Sequence, residues 1–237
     1  MKKVSYFLDE VYMSFSKIVF VAAVLSIFTA TAFAEETETE SDSEWDKILS
    51  AGIQVAGSKF YYKDASNDYN YITTDGFGWY TQYMSINKNN GFGFLLNGSL
   101  TIFVTDDLGH DNDIGTLFNT YAGVGFSPVH TNRLSLLLTA GIGGDAWMAT
   151  TSRYKNDIAI AEANLGVGAD ISFSYRISKK VGIGVNLLGT YNLFGYEIID
   201  YDYHIHSTRE EFDNYDTSFI RKHGFNIIPS AGITVHF

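Results

Sequence analysis

Four groups of residues have types and spacing that could do chemistry. Asp106, Asp107, His110, Asp111 and Asp113 crowd one short polar stretch. Carboxylate oxygens at that density could coordinate a divalent cation, but the spacing lacks the EF-hand pattern, so no metal site is assigned. His204, His206, Ser207, Glu210 and Glu211 are the residue types of a hydrolase. A nucleophile needs a base and an orienting acid in fixed geometry. All five stand in one long polar segment with no matching motif, so the chain reads as non-enzymatic, with no catalytic residue. Glu162, Asp170 and Arg176 share the polar face of one alternating segment. Buried charges need partners, so an inner carboxylate–guanidinium network is expected there. Phe103, Leu117, Trp147 and Phe194 form the fourth group, large apolar side chains suited to a small hydrophobic solute if brought together.

Composition removes other classes. The 237 residues include 16 Lys and Arg against 27 Asp and Glu, a net charge of −11, so a nucleic-acid surface is not expected. The absence of cysteine excludes a disulfide framework, a thiolate metal site and a lipidated amino-terminal cysteine. No phosphate loop, nucleotide fingerprint or zinc signature is present, so no cofactor is assigned.

The amino terminus reads as an address. Ile18 to Phe28 is an almost unbroken apolar run, preceded by Lys17 and followed by Ala32-Phe33-Ala34. It is shorter than the ~20 residues of a transmembrane helix. A charged start, an apolar centre and an A-x-A site make residues 1–34 an expected signal peptide, cleaved after Ala34. Asp9 and Glu10 are unusual in such a start, and Met13 offers an alternative initiation point. Residues 35–47 are strongly acidic and read as a self-repelling, disordered lead-in.

From residue 48 onward the apolar period is two. Phe92, Phe94, Leu96, Leu100, Ile102 and Val104 alternate with Gly93, Asn97, Ser99 and Thr101. Ala159 to Tyr175 alternates with Glu162, Asn164, Asp170, Ser172, Ser174 and Arg176. Such alternation marks strands. Eight are expected, near 48–61, 76–87, 91–105, 115–127, 134–149, 158–177, 181–196 and 224–237. The second has ambiguous parity between Trp79/Tyr83 and Tyr80/Met84. Connections alternate between short turns, such as 87–90 and 178–180, and longer polar segments, such as 63–75 and 197–223. That is the signature of an all-β, eight-stranded, antiparallel up-and-down transmembrane barrel over residues 48–237. The apolar face is assigned to lipid, because the other face carries Asn, Ser, Thr, Glu, Asp and Arg with many glycines. Phe92, Phe126, Tyr175 and Phe237 stand near the short turns on the apolar face, as an interfacial girdle would.

Across these strands the chain resembles the small eight-stranded outer-membrane barrels of the OmpX, OmpA-barrel and OmpW types. The most specific element is the carboxy terminus, where Ile233, Val235 and Phe237 resemble the signal read by the barrel-assembly machinery. The resemblance implies export, residence in the cell outer membrane in contact with its lipid, and a monomer. The likeness to the OmpA type is expected to reach only the barrel. Pro229 departs from an ideal pattern, because a closed barrel has no free edge, so a lost ladder bond or a bulge is expected there.

A barrel of this size is filled by its own side chains. Parity puts Asn97, Glu162, Asn164, Asp170, Arg176, Asn186 and His236 inside. It also points Phe60, Phe103, Leu117, Trp147, Ile158, Ile160 and Phe194 inward near the long loops. An apolar mouth above a polar floor suits a small hydrophobic solute, which the OmpW type is thought to pass laterally into the membrane. The alternative, implied by the OmpX type, is an adhesin or envelope-stability protein. It would contact a host surface ligand through acidic loops rich in Tyr, including Tyr201, Tyr203 and Tyr215.

Overall fold

The computed structural model describes residues 44–63, 69–105, 113–153, 156–201, 216–220 and 224–237. The proposed signal peptide and most of the acidic lead-in lie outside the described residues. Strands β1 (Trp45–Lys63), β2 (Tyr69–Asn87), β3 (Phe92–Thr105), β4 (Asp113–His130), β5 (Leu134–Arg153), β6 (Asn156–Arg176) and β7 (Val181–Tyr201) pair antiparallel in chain order. β8 (Asp216–Ile220) and β9 (Phe225–His236) both pair with β7, in successive stretches, and β9 also pairs with β1. They are therefore two pieces of one stave, and the sheet closes into the expected eight-stave barrel. No helix occurs among the described residues.

Closure fixes the tilt. Paired residues lead once around the barrel from Ser58 through Asn226, Thr190, Gly168, Gly141, Gly123, Leu95 and Met84 to Ile48, ten residues below the start. A stagger of ~33 Å over ~38 Å of strand spacing tilts the strands by about 40°, within the range for small barrels.

The faces are inside-out relative to a soluble barrel. Ile53, Trp79, Val124, Ile142 and Ile233 are more than half exposed, whereas Gln54, Asn119, Asp170 and Thr234 are fully buried. The ambiguous second strand is settled, with Tyr80 and Met84 inside and Trp79 outside. Along β3 the outward apolar residues run from Phe92 to Val104. At ~3.3 Å per residue and this tilt they span roughly 30 Å, enough for the apolar band of an outer membrane. Phe92, Phe126 and Tyr175 face outward near the turns, with Trp45 packed edge-on to Phe92 at 6.4 Å.

The short turns are locally encoded. The Asn87 side-chain oxygen accepts the N–H groups of Asn89 and Asn90 at 3.0 and 3.2 Å. Gly91 then takes a φ of 71°, and a Cβ there would press on the Phe126 ring. In the next turn Thr131 Oγ1 accepts the Leu134 N–H at 2.9 Å, and in the third Ser178 Oγ accepts the Val181 N–H at 3.1 Å.

Boundaries differ from expectation mainly at the loop end. β1 reaches Lys63, β5 Arg153 and β7 Tyr201, so segments read as loops continue the ladder. At that end the alternation breaks down, with Thr150 to Arg153 polar at both parities and Ile198-Ile199 apolar at both, so the period-two signal disappears while hydrogen bonding persists. β1 also begins at Trp45, inside the segment read as a lead-in. Pro229 produces a lapse without a slip. β1–β9 pairing stops at Gln54↔Ser230 and resumes in unchanged register at Gly57↔Ile227. Bulges lie between Phe126 and Val129 on β4 and at Leu193 on β7, where Leu165↔Phe194 is followed by Gly166↔Asn192.

Candidate functional site

The inward side chains form stations along the lumen. At the turn end, Arg176 Nη2 donates to Asp46 Oδ1 and Oδ2 at 3.0 and 3.2 Å. The same nitrogen lies 2.8 Å from His236 Nδ1. A guanidinium can only donate, so His236 Nδ1 is the acceptor of that bond, and Nε2 faces the Ser174 and Thr234 hydroxyls at 3.3 and 3.2 Å. His130 Nε2 stands 3.8 Å from Asp46, and its Nδ1 is 3.1 Å from Ser135 Oγ.

Asp170 forms the next station. It accepts from Ser172 Oγ and from Asn186 Nδ2 at 3.1 Å, and Ser172 in turn accepts from Gln82 Nε2 at 2.8 Å. Nearer the loops Asp145 is held by amides. Its Oδ1 accepts from Asn164 at 2.8 Å, and its Oδ2 from Asn192 and Asn226 at 2.7 and 2.9 Å. Asn226 also donates to Thr190 Oγ1 at 2.9 Å. Glu162 is buried opposite Trp147 on the neighbouring strand.

Glu162, Asp170 and Arg176 are therefore inside, as expected, but they are not one network. Eight and then six residues separate them on β6, which is roughly 26 and 20 Å along a strand, far beyond ion-pair reach. Arg176 pairs instead with Asp46, a residue assigned in sequence to the lead-in. Asp46, His130, Asp145, Asn192 and Asn226 were missed. Asp145 is findable, because it shares the parity of Trp147; Asp46 is hidden because the first strand starts at Trp45, three residues before the alternation at 48.

Three of the four apolar candidates meet. Phe103, Leu117 and Trp147 are all at most 2% exposed, and the Phe103 and Trp147 rings lie 6.4 Å apart at 65°. Gly115 makes room for them, since a Cβ there would run into the Phe103 ring. Phe194 is not with them. It is 48% exposed on the outer face, because the bulge at Leu193 inserts one residue and reverses the parity beyond it. The side chains of Phe60, Ile158 and Ile160 lie outside the described residues. So do residues 106–112 and 202–215, which hold most of the acidic cluster and all of the His204–Glu211 group. Ile233 faces fully outward, and Val235 shares its face.

No protein-family model matches this chain, and no curated relative does. Solved structures do. The outer membrane protein OprG from Pseudomonas aeruginosa is 9% identical with a TM-score of 0.54, covering 81% of this chain and 95% of that one. A major outer membrane protein from Thermus thermophilus is 13% identical with a TM-score of 0.51, covering 81% and 99%. At such identities the likeness speaks for architecture alone. This chain has the fold of the small eight-stranded outer-membrane β-barrels.

Proposed function

We propose that this protein resides in the outer membrane and binds or passes small hydrophobic solutes at the loop end of its lumen. The observation that carries the reading is the buried aromatic Phe103–Leu117–Trp147 layer at the loop end, set apart from the buried apolar side chains nearer the turns, such as Ile48, Met84, Ile86, Leu95 and Leu137, by the amide-lined station of Asp145. An apolar solute reaching this layer would meet a polar barrier below, so its exit is lateral, into the bilayer. Among the described residues the ladder is interrupted on both edges of the last stave. Between Tyr191↔Phe225 and Gly195↔Ile220 the β7 edge is bridged by the Asn192 N–H to Gly224 carbonyl bond of 2.8 Å, and the Pro229 lapse lies on the other edge of β9.

The outward apolar belt would contact lipid, with Ile233, Val235 and Phe237 read by the barrel-assembly machinery during insertion. The test is a hydrophobic fluorophore, N-phenyl-1-naphthylamine, added to the folded barrel in detergent. Energy transfer from tryptophan should fall in Trp147→Phe. Fluorophore binding should be lost in Trp147→Arg while gel mobility remains heat-modifiable. Unchanged binding in a folded Trp147→Arg barrel would sink the proposal.

A further inference from the structure

The amide ring around Asp145 contains more than a brace for one carboxylate. Asn164, Asn192 and Asn226 each turn a side-chain nitrogen to Asp145, and each leaves its Oδ1 buried with no hydrogen-bond partner. Asn119 stands directly across β4–β5 from Asp145, is 0% exposed, and has neither amide atom partnered. The hydroxyls of Ser99, opposite Asn119, and Ser58, opposite Asn226, are also buried and unpartnered. Leaving a buried polar group orphaned is costly, so several in one place call for a partner, either water or an ion.

The ligand's chemistry follows from the count of roles. On Asp145 and the residues paired across the strands from it and its amide partners, four orphaned amide oxygens can only accept, the Ser58 and Ser99 hydroxyls can both donate and accept, and the Asn119 NH2 is the one orphaned amide donor. Oxygen acceptors in excess are what a hard cation requires. Carboxylate, amide carbonyl and water are its usual ligands. The three donating amides each keep their oxygen within about 5 Å of the Asp145 carboxylate, because N and O share one planar group. Their terminal torsion is soft, so an oxygen can turn onto an ion. A bare ion cannot satisfy the Asn119 NH2, but a water in the ion's hydration shell accepts from it.

We infer that Asn119, Asp145, Asn164, Asn192 and Asn226 form a binding site for a partly hydrated hard cation inside the barrel. Calcium and sodium share the required chemistry, and the test separates them. This inference does not rest on solute binding at Trp147: the ion-dependent unfolding midpoint reads this site alone, and fluorophore binding reads the other.

The full mature chain is folded in detergent with terbium, calcium, sodium or chelator present throughout. Trp147 lies two residues from Asp145 on the same face, about 7 Å away, and serves as the antenna for terbium emission. Saturable emission is expected, falling at least fivefold in Trp147→Phe and in Asp145→Asn. Asn119→Leu should weaken terbium binding at least tenfold. Displacement by millimolar calcium identifies a divalent site, and displacement only by sodium a monovalent one. The unfolding midpoint should rise with the displacing ion in the wild type and not in Asn119→Leu. Emission that survives both Asp145→Asn and Asn119→Leu comes from surface carboxylates and overturns the inference. No emission, with no ion-dependent midpoint, leaves a water-filled ring and overturns it too.

Discussion

A double-mutant cycle at the turn end of the lumen tests how the interior charges are partnered. Arg176 is held by Asp46 at 3.0 Å, with side chains 24% and 6% exposed. Asp46 is the more buried partner, so removing the guanidinium in Arg176→Met leaves a carboxylate largely out of water. Breaking a fully buried pair from one side costs about 3–5 kcal/mol. Arg176 is a quarter open to solvent, so screening lowers this to about 2–3 kcal/mol. Asp46→Asn keeps an acceptor for Arg176 and should cost less, about 1–2 kcal/mol. The two losses should not add. A coupling energy of about 1.5 kcal/mol, roughly a tenfold change in the equilibrium constant, is expected for a charge-assisted bond of this geometry. Reversible urea unfolding in lipid vesicles, followed by tryptophan emission and by gel mobility, measures it. The same cycle with Asp170→Asn should be additive within about 0.5 kcal/mol, since ~20 Å separates the groups. Coupling to Asp170 with none to Asp46 would refute the partner assignment and the register that produces it.

Other outcomes follow from the same geometry. Gly91→Ala should destabilise the barrel by about 1–2 kcal/mol in that unfolding assay, because alanine resists the φ of 71° and its Cβ meets the Phe126 ring. Ile142→Lys places a charge on the outer face at a residue 60% exposed; it should cost about 2–4 kcal/mol in a bilayer, and a neutral result would mean this face does not meet lipid. Deleting residues 202–215 should leave heat-modifiable gel mobility and fluorophore binding unchanged, since the β7–β8 ladder begins outside the deletion. A loss of host-cell adherence in that variant would favour the adhesin alternative.

Much of the architecture is legible one strand at a time. Phe92 to Val104 shows its outward face without any knowledge of its neighbours, and so does Val181 to Tyr191. The signals fail where the environment stops being two-sided. Near Lys63, Arg153 and Tyr201 the two faces no longer differ in polarity, and the strands run further than the alternation does. They also fail at Leu193, where one inserted residue turns Phe194 from the expected lumen to the lipid face.

The period of two, the turn residues and the choice of polar side chains for one face are local properties. They determined an inside-out barrel, its eight staves and most of its lumen residues. Which interior groups meet is not local. Asp46 reaches Arg176 across 130 positions, and Asn226 reaches Asp145 across 81. Those meetings depend on the ten-residue stagger at closure, which sets how far each strand climbs past the next. Stagger is a property of the whole ring of hydrogen bonds, so only the closed barrel decides whether a carboxylate faces a guanidinium or a ring of amides.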